Sequence, residues 1–220
     1  DNLKVIGITS SYPSEGKTFI NLLLSKTLAE MGQRILLVDC DLRKSQIHKR
    51  LGLNNIFGLS NILTENVDNW EKGMNQVDGF DNWKIITAGT SPPDPVRLLG
   101  SEAMRNFTKN IKDSNQFDYI IFDTPPIMGI SDSSIISGFV DGIILVISIK
   151  NISKLISKKS ISILKNCEAN FLGSITNYSK EIKEINNNSK NGYGYGYGYG
   201  YGYMDTYEDY VNAAEDKQSS

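Results

Sequence analysis

The stretch VIGITSSYPSEGKT, residues 5–18, predicts a strand, a phosphate-binding loop and the start of a helix, in that order. Gly16 lets the loop backbone approach phosphate oxygens, and Lys17 brings a cation to the β- and γ-phosphates. The Thr18 hydroxyl can ligate Mg²⁺, and the helix N-terminus adds oriented N–H donors. The predicted nucleotide contacts are the consecutive residues Ser14, Glu15, Gly16, Lys17, Thr18 and Phe19.

This loop departs at one position from the usual pattern G-x-x-x-x-G-K-[ST], because Ser11 stands where the first glycine is expected. The alternative interpretation is an ordinary strand, turn and helix with a chance Gly-Lys-Thr. The predicted strand before the loop and the predicted helix after it are the context that the motif requires. They favour the phosphate loop.

Carboxylates follow two other predicted strands. The segment ILLVDCDLR, residues 35–43, ends in Asp39 and Asp41, and YIIFDTPP, residues 119–126, contains Asp123. The carboxyl ends of parallel strands meet at one edge of the sheet, where the phosphate loop also lies. Each aspartate alone could be a helix cap or a turn residue. Together, beside a phosphate loop, they predict a Mg²⁺ site with a candidate base. The predicted metal ligands are Thr18, Asp39, Asp41 and Asp123.

Short apolar runs alternate with helical patterns along the chain. The runs cover residues 5–9, 35–38, 84–87, 119–122, 142–149 and 171–175. The helical patterns cover residues 18–31, 97–115 and 153–166. Most runs are continuous rather than alternating, as in strands that are covered on both faces. We therefore predict an α/β fold with a mostly parallel central sheet.

The composition changes near residue 180, where a polar linker precedes a glycine–tyrosine repeat. Such a repeat cannot build a core, because glycine packs nothing and resists ordering, but it holds phenol hydroxyls in water. We expect one domain over residues 1–182 and a flexible tail over residues 183–220. Eight of the eleven tyrosines lie in this tail as candidate phosphate acceptors: Tyr193, Tyr195, Tyr197, Tyr199, Tyr201, Tyr203, Tyr207 and Tyr210.

The bulk composition excludes several classes of protein. A net charge of -2 gives no indication of a nucleic-acid partner. No apolar run reaches the roughly 18 residues of a membrane span. Cys40, Cys167 and the single histidine do not have metal-binding spacing, and we expect Cys40 to be a buried small residue. A reduced, cytoplasmic setting is expected, and the start at Asp1, almost directly on a strand, suggests a piece of a longer protein.

The three motifs together resemble those of the bacterial tyrosine kinases that act in capsule and exopolysaccharide export. Residues 10–18 are similar to the family's Walker A segment, residues 35–43 to Walker A′ and residues 119–125 to Walker B. Supporting similarity lies in residues 88–99, 124–132 and 140–146. The resemblance implies a three-layer P-loop NTPase fold that uses ATP with Mg²⁺, releases ADP and phosphorylates its own C-terminal tyrosines.

The same resemblance implies roles for single residues. Lys17 would stabilise the charge of the transferred phosphate, Asp39 would be the base or organise the metal, and Asp41 and Asp123 would complete the metal environment. It also implies a location at the inner face of the plasma membrane and an activating membrane partner or fused membrane domain. A ring-like homo-oligomer would let the tail reach neighbouring subunits. The family's E-x-x-R-x-x-R assembly helix is absent before the first strand.

Two other functions remain open. Partition and cell-division ATPases share the expected fold, but their phosphate loop has the pattern K-G-G-x-G-K-[ST]. In this chain Tyr12 stands at the position of the first lysine and cannot supply its charge. A self-associating scaffold is the third possibility, because glycine–tyrosine repeats stack.

Arg43, Lys44 and His48 are interpreted either as a dock for the acidic tail or as a solvated basic face. We expect Trp70 to be packed, and Trp83 likewise.

Overall fold

The computed structural model describes residues 3–65, 69–129, 131–149 and 152–178. Continuous runs of β-branched and aliphatic residues form a seven-stranded sheet. The strands are β1 (Val5–Ser10), β2 (Ile35–Asp39), β3 (Met74–Gln76), β4 (Trp83–Ile86), β5 (Tyr119–Asp123), β6 (Gly142–Ser148) and β7 (Phe171–Asn177). The helices are α1 (Lys17–Glu30), α2 (Ile47–Leu51), α3 (Leu59–Glu65), α4 (Pro95–Leu99), α5 (Glu102–Asp113), α6 (Asp132–Ser137) and α7 (Lys154–Asn166), with a short 3-10 helix over Trp70–Gly73.

The strands lie in the order β3-β4-β2-β5-β1-β6-β7. All neighbouring strands are parallel except β3, which is antiparallel to β4. β1 therefore lies between β5 and β6, and β2 lies on the far side of β5. Asp39 pairs with Asp123 where β2 and β5 end, and Asp123 also pairs with Ile8 of β1. The predicted carboxylate positions thus meet at one sheet edge.

Apolar side chains cover both faces of the sheet because successive residues of a strand point to opposite sides. Leu36 and Val38 of β2 pack with residues of α3, α4, α5 and α6. Ile35 and Leu37 of the same strand pack with residues of α1 and α2. A third cluster joins β6 to Leu164 of α7. The protein therefore has the three-layer fold that the sequence predicts.

The helix predicted over residues 97–115 is wrong in its start and in its continuity. The chain forms α4 and α5 instead, separated at Gly100 and Ser101. Pro95 begins α4, since proline fits the first helical turn, and Asp94 accepts a hydrogen bond from the Arg97 N–H at 3.0 Å. The Ser101 side chain caps α5 by accepting from the backbone N–H of the third helical residue.

Two other helix predictions are confirmed. α1 occupies the segment predicted over residues 18–31, and α7 occupies the one predicted over residues 153–166. Ser153 caps α7 through its side chain. Both predicted tryptophan positions are also confirmed, because Trp70 and Trp83 are buried in the two main clusters.

Within the described ranges, the structure contains no helix that is both long and apolar enough to cross a membrane. The boundary expected at residue 182, the tail beyond it and its eight tyrosines lie outside the described residues. The last described strand, β7, ends one residue before Tyr178.

Candidate functional site: a buried cation among three carboxylates

The amino end of α1 places Lys17 at the sheet edge where β2 and β5 end. Its ammonium lies 3.0 Å from an oxygen of Asp41 and 3.5 Å from an oxygen of Asp123. Lys17 is 8% exposed, and Asp39, Asp41 and Asp123 are all buried. The structure therefore brings together the one cation and the three carboxylates that the sequence singled out.

Burial and mutual repulsion shift the pKa values of this cluster. Burial raises the pKa of Asp39 well above its ordinary value, and the Asp123 and Asp41 charges raise it further. Burial also raises the pKa of Asp123, although Lys17 acts in the opposite direction. For Lys17, burial favours the neutral amine, but Asp123 and Asp41 outweigh it and raise the pKa of the ammonium. The lysine is thus held as a cation.

Asp39 and Asp41 do not extend from one continuous strand, because β2 ends at Asp39. Asp41 lies in the segment that follows the strand. Asp39 accepts hydrogen bonds from the backbone N–H groups of Asp41 at 3.2 Å and Ile47 at 3.3 Å. Oδ1 of Asp41 accepts a hydrogen bond from the Lys44 N–H at 3.0 Å, and Oδ2 accepts one from the Lys17 ammonium.

Sequence reasoning missed Asn21, which belongs to the cluster. Its side-chain amide donates to Asp123 at 2.8 Å and to the Lys17 carbonyl at 3.1 Å. One helical turn separates it from Lys17, so helical spacing on the inward face of α1 could have indicated it. The second oxygen of Asp123 and the amide oxygen of Asn21 are buried without a partner at hydrogen-bond distance among the described residues, and the nearby Thr18 hydroxyl lowers the pKa of Asp123. Such unpaired acceptors suit a bound cation or donor.

The phosphate loop has a backbone that requires glycine at one point. Gly16 has a φ of 91°, and a Cβ atom there would overlap the side-chain amide of Asn177. Ser14 also has a positive φ, of 65°. Thr18, the second residue of α1, is buried. Phe19, the next residue of the same turn, is 38% exposed.

Ser11, at the missing glycine position, is buried and points out of the loop. Its hydroxyl accepts a hydrogen bond from the Ser160 hydroxyl of α7 at 2.9 Å. This contact gives the Ser11 hydroxyl a buried partner at the position where the motif has glycine.

Glu15 has its side chain inside the protein and not towards a ligand. It is 1% exposed, and its two oxygens accept from the backbone N–H groups of Tyr12 at 2.6 Å and Ser148 at 2.9 Å. Burial raises the pKa of this carboxyl, while those N–H groups lower it. The Glu15 side chain therefore bonds to the backbone of the loop and of the adjacent strand end.

The interpretation as a solvated basic face is wrong for Arg43, because its side chain is buried. For the same reason Arg43 is unsuited to docking an acidic tail. Its side chain is 4% exposed and forms a two-point ion pair with buried Asp132, at 2.8 and 3.2 Å. A buried carboxylate at the start of α6 captures the guanidinium because a charge without a partner is costly there. His48 and Lys44 remain partly exposed.

Cys40, between the two aspartates, is buried as expected. Burial and the neighbouring carboxylates raise the pKa of its thiol, so it is a neutral packing residue. Within the described part of the chain, no group of three or more histidine, cysteine or acidic side chains is arranged to hold a metal ion by itself. A metal at this site would need further ligands, such as phosphate oxygens.

Comparison with known proteins gives the family. The ParA model, described as "NUBPL iron-transfer P-loop NTPase", matches residues 3–205. The tyrosine-protein kinase YwqD of Bacillus subtilis is 34% identical over 194 residues, which cover 87% of this chain and 77% of the relative. A tyrosine-protein kinase in the cps region of Klebsiella pneumoniae is 34% identical over 77% of this chain, which spans only 23% of that relative.

Solved structures agree with the sequence relatives. The kinase domain of the Escherichia coli tyrosine kinase ETK superposes with a TM-score of 0.76 at 28% identity, covering 89% of this chain and 73% of that one. The MinD cell division protein of Aquifex aeolicus has a TM-score of 0.65 at 24% identity, over 80% and 70% of the two chains, and shares the fold. Because these relatives match most of the chain, and because the site contains the expected phosphate loop, the chain belongs to the bacterial tyrosine-protein kinases, a family with the ParA-type P-loop NTPase fold.

Proposed function

We propose that this chain transfers the γ-phosphate of ATP to tyrosine hydroxyls, including those of its own C-terminal cluster. The observation that carries the proposal is the buried contact of Lys17 with Asp41 and Asp123, beside Asp39 and the phosphate loop. Membership of the tyrosine-kinase family gives the class of reaction. Phosphoryl transfer needs positioning and charge stabilisation more than covalent chemistry, and this cluster supplies both.

ATP would bind with its phosphates against the backbone of residues 14–18. Gly16 provides the positive φ that turns the loop into the helix, and α1 presents its N-terminus there. Lys17 would supply the positive charge at the β- and γ-phosphates. Phe19, half-exposed on the first turn, is near enough in sequence to border this site. Glu15 would contribute through its backbone only.

The residues present fit Mg²⁺, whose preferred ligands are hydroxyl and carboxylate oxygens. Thr18, Asp39, Asp41 and Asp123 would hold it directly or through water, and the unpaired buried oxygen of Asp123 is the observation that supports this. Bound Mg²⁺ would neutralise charge that develops on the phosphate oxygens. It would also replace Lys17 as the counter-charge of the carboxylates, which leaves the ammonium available to phosphate.

In the transfer step, the phenolic oxygen forms a bond to the γ-phosphorus while the bond from that phosphorus to the oxygen of the β-phosphate breaks. ADP leaves with the bridging oxygen, and the phenol proton passes to Asp39. An unperturbed phenol has a pKa of about 10, so a nearby proton acceptor is useful as the new bond forms. Asp39 ends β2 beside the phosphate loop, which is the position from which its carboxylate would accept this proton.

The acceptors would be the eight tail tyrosines, six of which alternate with glycine while Tyr207 and Tyr210 follow the repeat. The tail would reach the site of a neighbouring subunit in a ring-like homo-oligomer. The same proposal includes activation by a membrane partner or a fused membrane domain. It also includes a position at the inner membrane face and a role in exopolysaccharide export. The relatives named for the cps region and as CapB support this context.

Phosphotyrosine detection after incubation with ATP and Mg²⁺ tests the proposal. The wild type should become labelled, and mass spectrometry should place phosphate on several tail tyrosines. A variant with all eight tail tyrosines replaced by phenylalanine should lose this label while keeping Mg²⁺–ADP binding. Hydrolysis of ATP without any phosphotyrosine in the wild type would contradict the kinase proposal and favour the switch ATPase whose fold this chain shares.

A further inference from the structure

Glu15 places a buried negative charge directly behind a loop that is built to receive anions. Its carboxylate is 1% exposed. Among the described residues it accepts hydrogen bonds from backbone N–H groups, those of Tyr12 and Ser11 in the same loop and that of Ser148 at the end of β6. A carboxylate in this position repels a triphosphate, so a compensating role is required.

The geometry of the two bonds indicates that role. Oε1 accepts from Tyr12 at 2.6 Å and Oε2 accepts from Ser148 at 2.9 Å, so one carboxylate joins the start of the loop to the adjacent strand end. Only a group with two acceptor oxygens can make both bonds. A glutamine amide would offer one acceptor and turn its NH₂ group against the remaining N–H donor.

The backbone of Glu15 makes a third connection. Its carbonyl accepts from the Asn177 side-chain amide at 2.9 Å, at the carboxyl end of β7. The Asn177 carbonyl in turn accepts from the Ile149 N–H at 3.1 Å, which ties the ends of β6 and β7 together. Glu15 thus connects the phosphate loop to both outer strands on this side of the sheet, and the tail follows β7.

We propose that Glu15 is a positioning residue: its buried carboxylate shapes the phosphate loop from inside, and its carbonyl anchors the loop to the end of β7. The inference rests on the proposed nucleotide site. The carboxylate holds the Tyr12 N–H inward, so the loop keeps the curvature at Ser14 and Gly16, where φ is positive. The loop is then preformed before a nucleotide arrives, which lowers the ordering cost of binding.

The test compares wild type with Glu15→Gln, using isothermal titration with Mg²⁺–ADP and hydrogen exchange of ¹⁵N-labelled protein. The variant should bind Mg²⁺–ADP about tenfold more weakly, as expected when one buried donor is left without an acceptor. The backbone amides of Tyr12 and Ser148 should exchange faster than in wild type. Glu30→Gln is the matched control, because it removes the same charge from an exposed position on α1, and it should change neither quantity.

The outcomes separate this inference from the proposed function. If wild type itself does not bind Mg²⁺–ADP, the proposed nucleotide site is wrong. If wild type binds and a folded Glu15→Gln protein binds equally well, only the positioning role is overturned, even where its melting temperature falls. If Glu15→Gln fails to fold, the same titration is made with Asn177→Ala. This variant leaves the Glu15 carboxylate in place and removes the hydrogen bond that joins the Glu15 carbonyl to the end of β7. We expect a severalfold weaker affinity, and an unchanged affinity would overturn the proposal.

Discussion

At the scale of single residues, the site has an imbalance of charge. Lys17 is one cation among the three buried carboxylates Asp39, Asp41 and Asp123. Because burial and repulsion raise the pKa values of Asp39 and Asp123, the folded protein holds protons on these groups to higher pH than the unfolded chain does. Their ionisation therefore opposes folding as pH rises, and Lys17 reduces that cost.

Replacing Lys17 by methionine should destabilise the nucleotide-free protein more at pH 8 than at pH 6. Without the ammonium, the carboxylate pKa values rise further, so the folded variant binds more protons than wild type and loses stability as pH increases. Lys17 stays charged across this window because its pKa is raised. We expect a loss of about 3–5 kcal/mol at pH 8, typical of a broken buried ion pair, and less at pH 6.

Thermal and urea unfolding at the two pH values measure this difference. Lys26→Met is the matched control, since Lys26 is an exposed lysine of the same helix that pairs with Glu30. It should cost no more than about 0.5 kcal/mol at either pH. An equal loss of stability for Lys17→Met at pH 6 and pH 8 would show that the carboxylates do not repel one another as inferred.

At the scale of secondary-structure elements, the ion pair of Arg43 and Asp132 joins the loop after β2 to the start of α6. Both side chains are buried, so neither charge can be hydrated if the other is removed. The loop carries Asp41 and directly follows Asp39, and α6 follows the strand that carries Asp123. The pair therefore fixes the spacing of two loops that border the site.

A double-mutant cycle should detect this connection. Arg43→Met alone should cost about 3–5 kcal/mol, because it strands the Asp132 carboxylate, and the double variant Arg43→Met/Asp132→Leu should recover much of the loss. Urea unfolding at neutral pH gives the coupling energy. The same cycle on the exposed pair Lys26 and Glu30 should give about 0.5 kcal/mol or less. Additive losses at Arg43 and Asp132 would mean that the loops are not coupled through this pair.

At the scale of the whole molecule, the packed core of the described residues is complete without the tail. Its three clusters draw on residues between Val5 and Phe171. A chain ending at residue 182 should therefore unfold within about 2 °C of the full chain, where 1 kcal/mol corresponds to about 2–4 °C for a domain of this size. It should bind Mg²⁺–ADP with unchanged affinity and lose the phosphotyrosine label of its own tail.

Differential scanning calorimetry and titration with Mg²⁺–ADP measure both quantities on the truncated and the full chain. A drop of several degrees would place part of the stabilising core beyond residue 182 and so overturn the expected domain boundary. A control chain that keeps its full length but carries phenylalanine at the eight tail tyrosines separates loss of the hydroxyls from loss of the segment.

Local patterns in the sequence were sufficient to predict the three-layer fold, α1, α7 and the phosphate loop. The strands are continuous apolar runs, and Gly16, Lys17 and Thr18 lie where the loop after a strand becomes a helix, so these features depend on neighbours in the chain. The convergence of Asp39 and Asp123 also followed from the sequence, because parallel strands end at one edge. The single helix expected over residues 97–115 was wrong, since Pro95 can begin a helix and Ser101 can cap another.

Which distant residues share a contact depends on how the sheet is assembled. Arg43 meets Asp132 across 89 positions, Asn21 meets Asp123 across 102, and Glu15 meets Ser148 across 133. No local spacing encodes these pairs, because the strand order brings them together and burial then forces each charge or polar group to find a partner. The amino-acid sequence thus determined which groups are available, and the packing of the sheet determined which of them meet at its edge and which bond to the backbone of the phosphate loop.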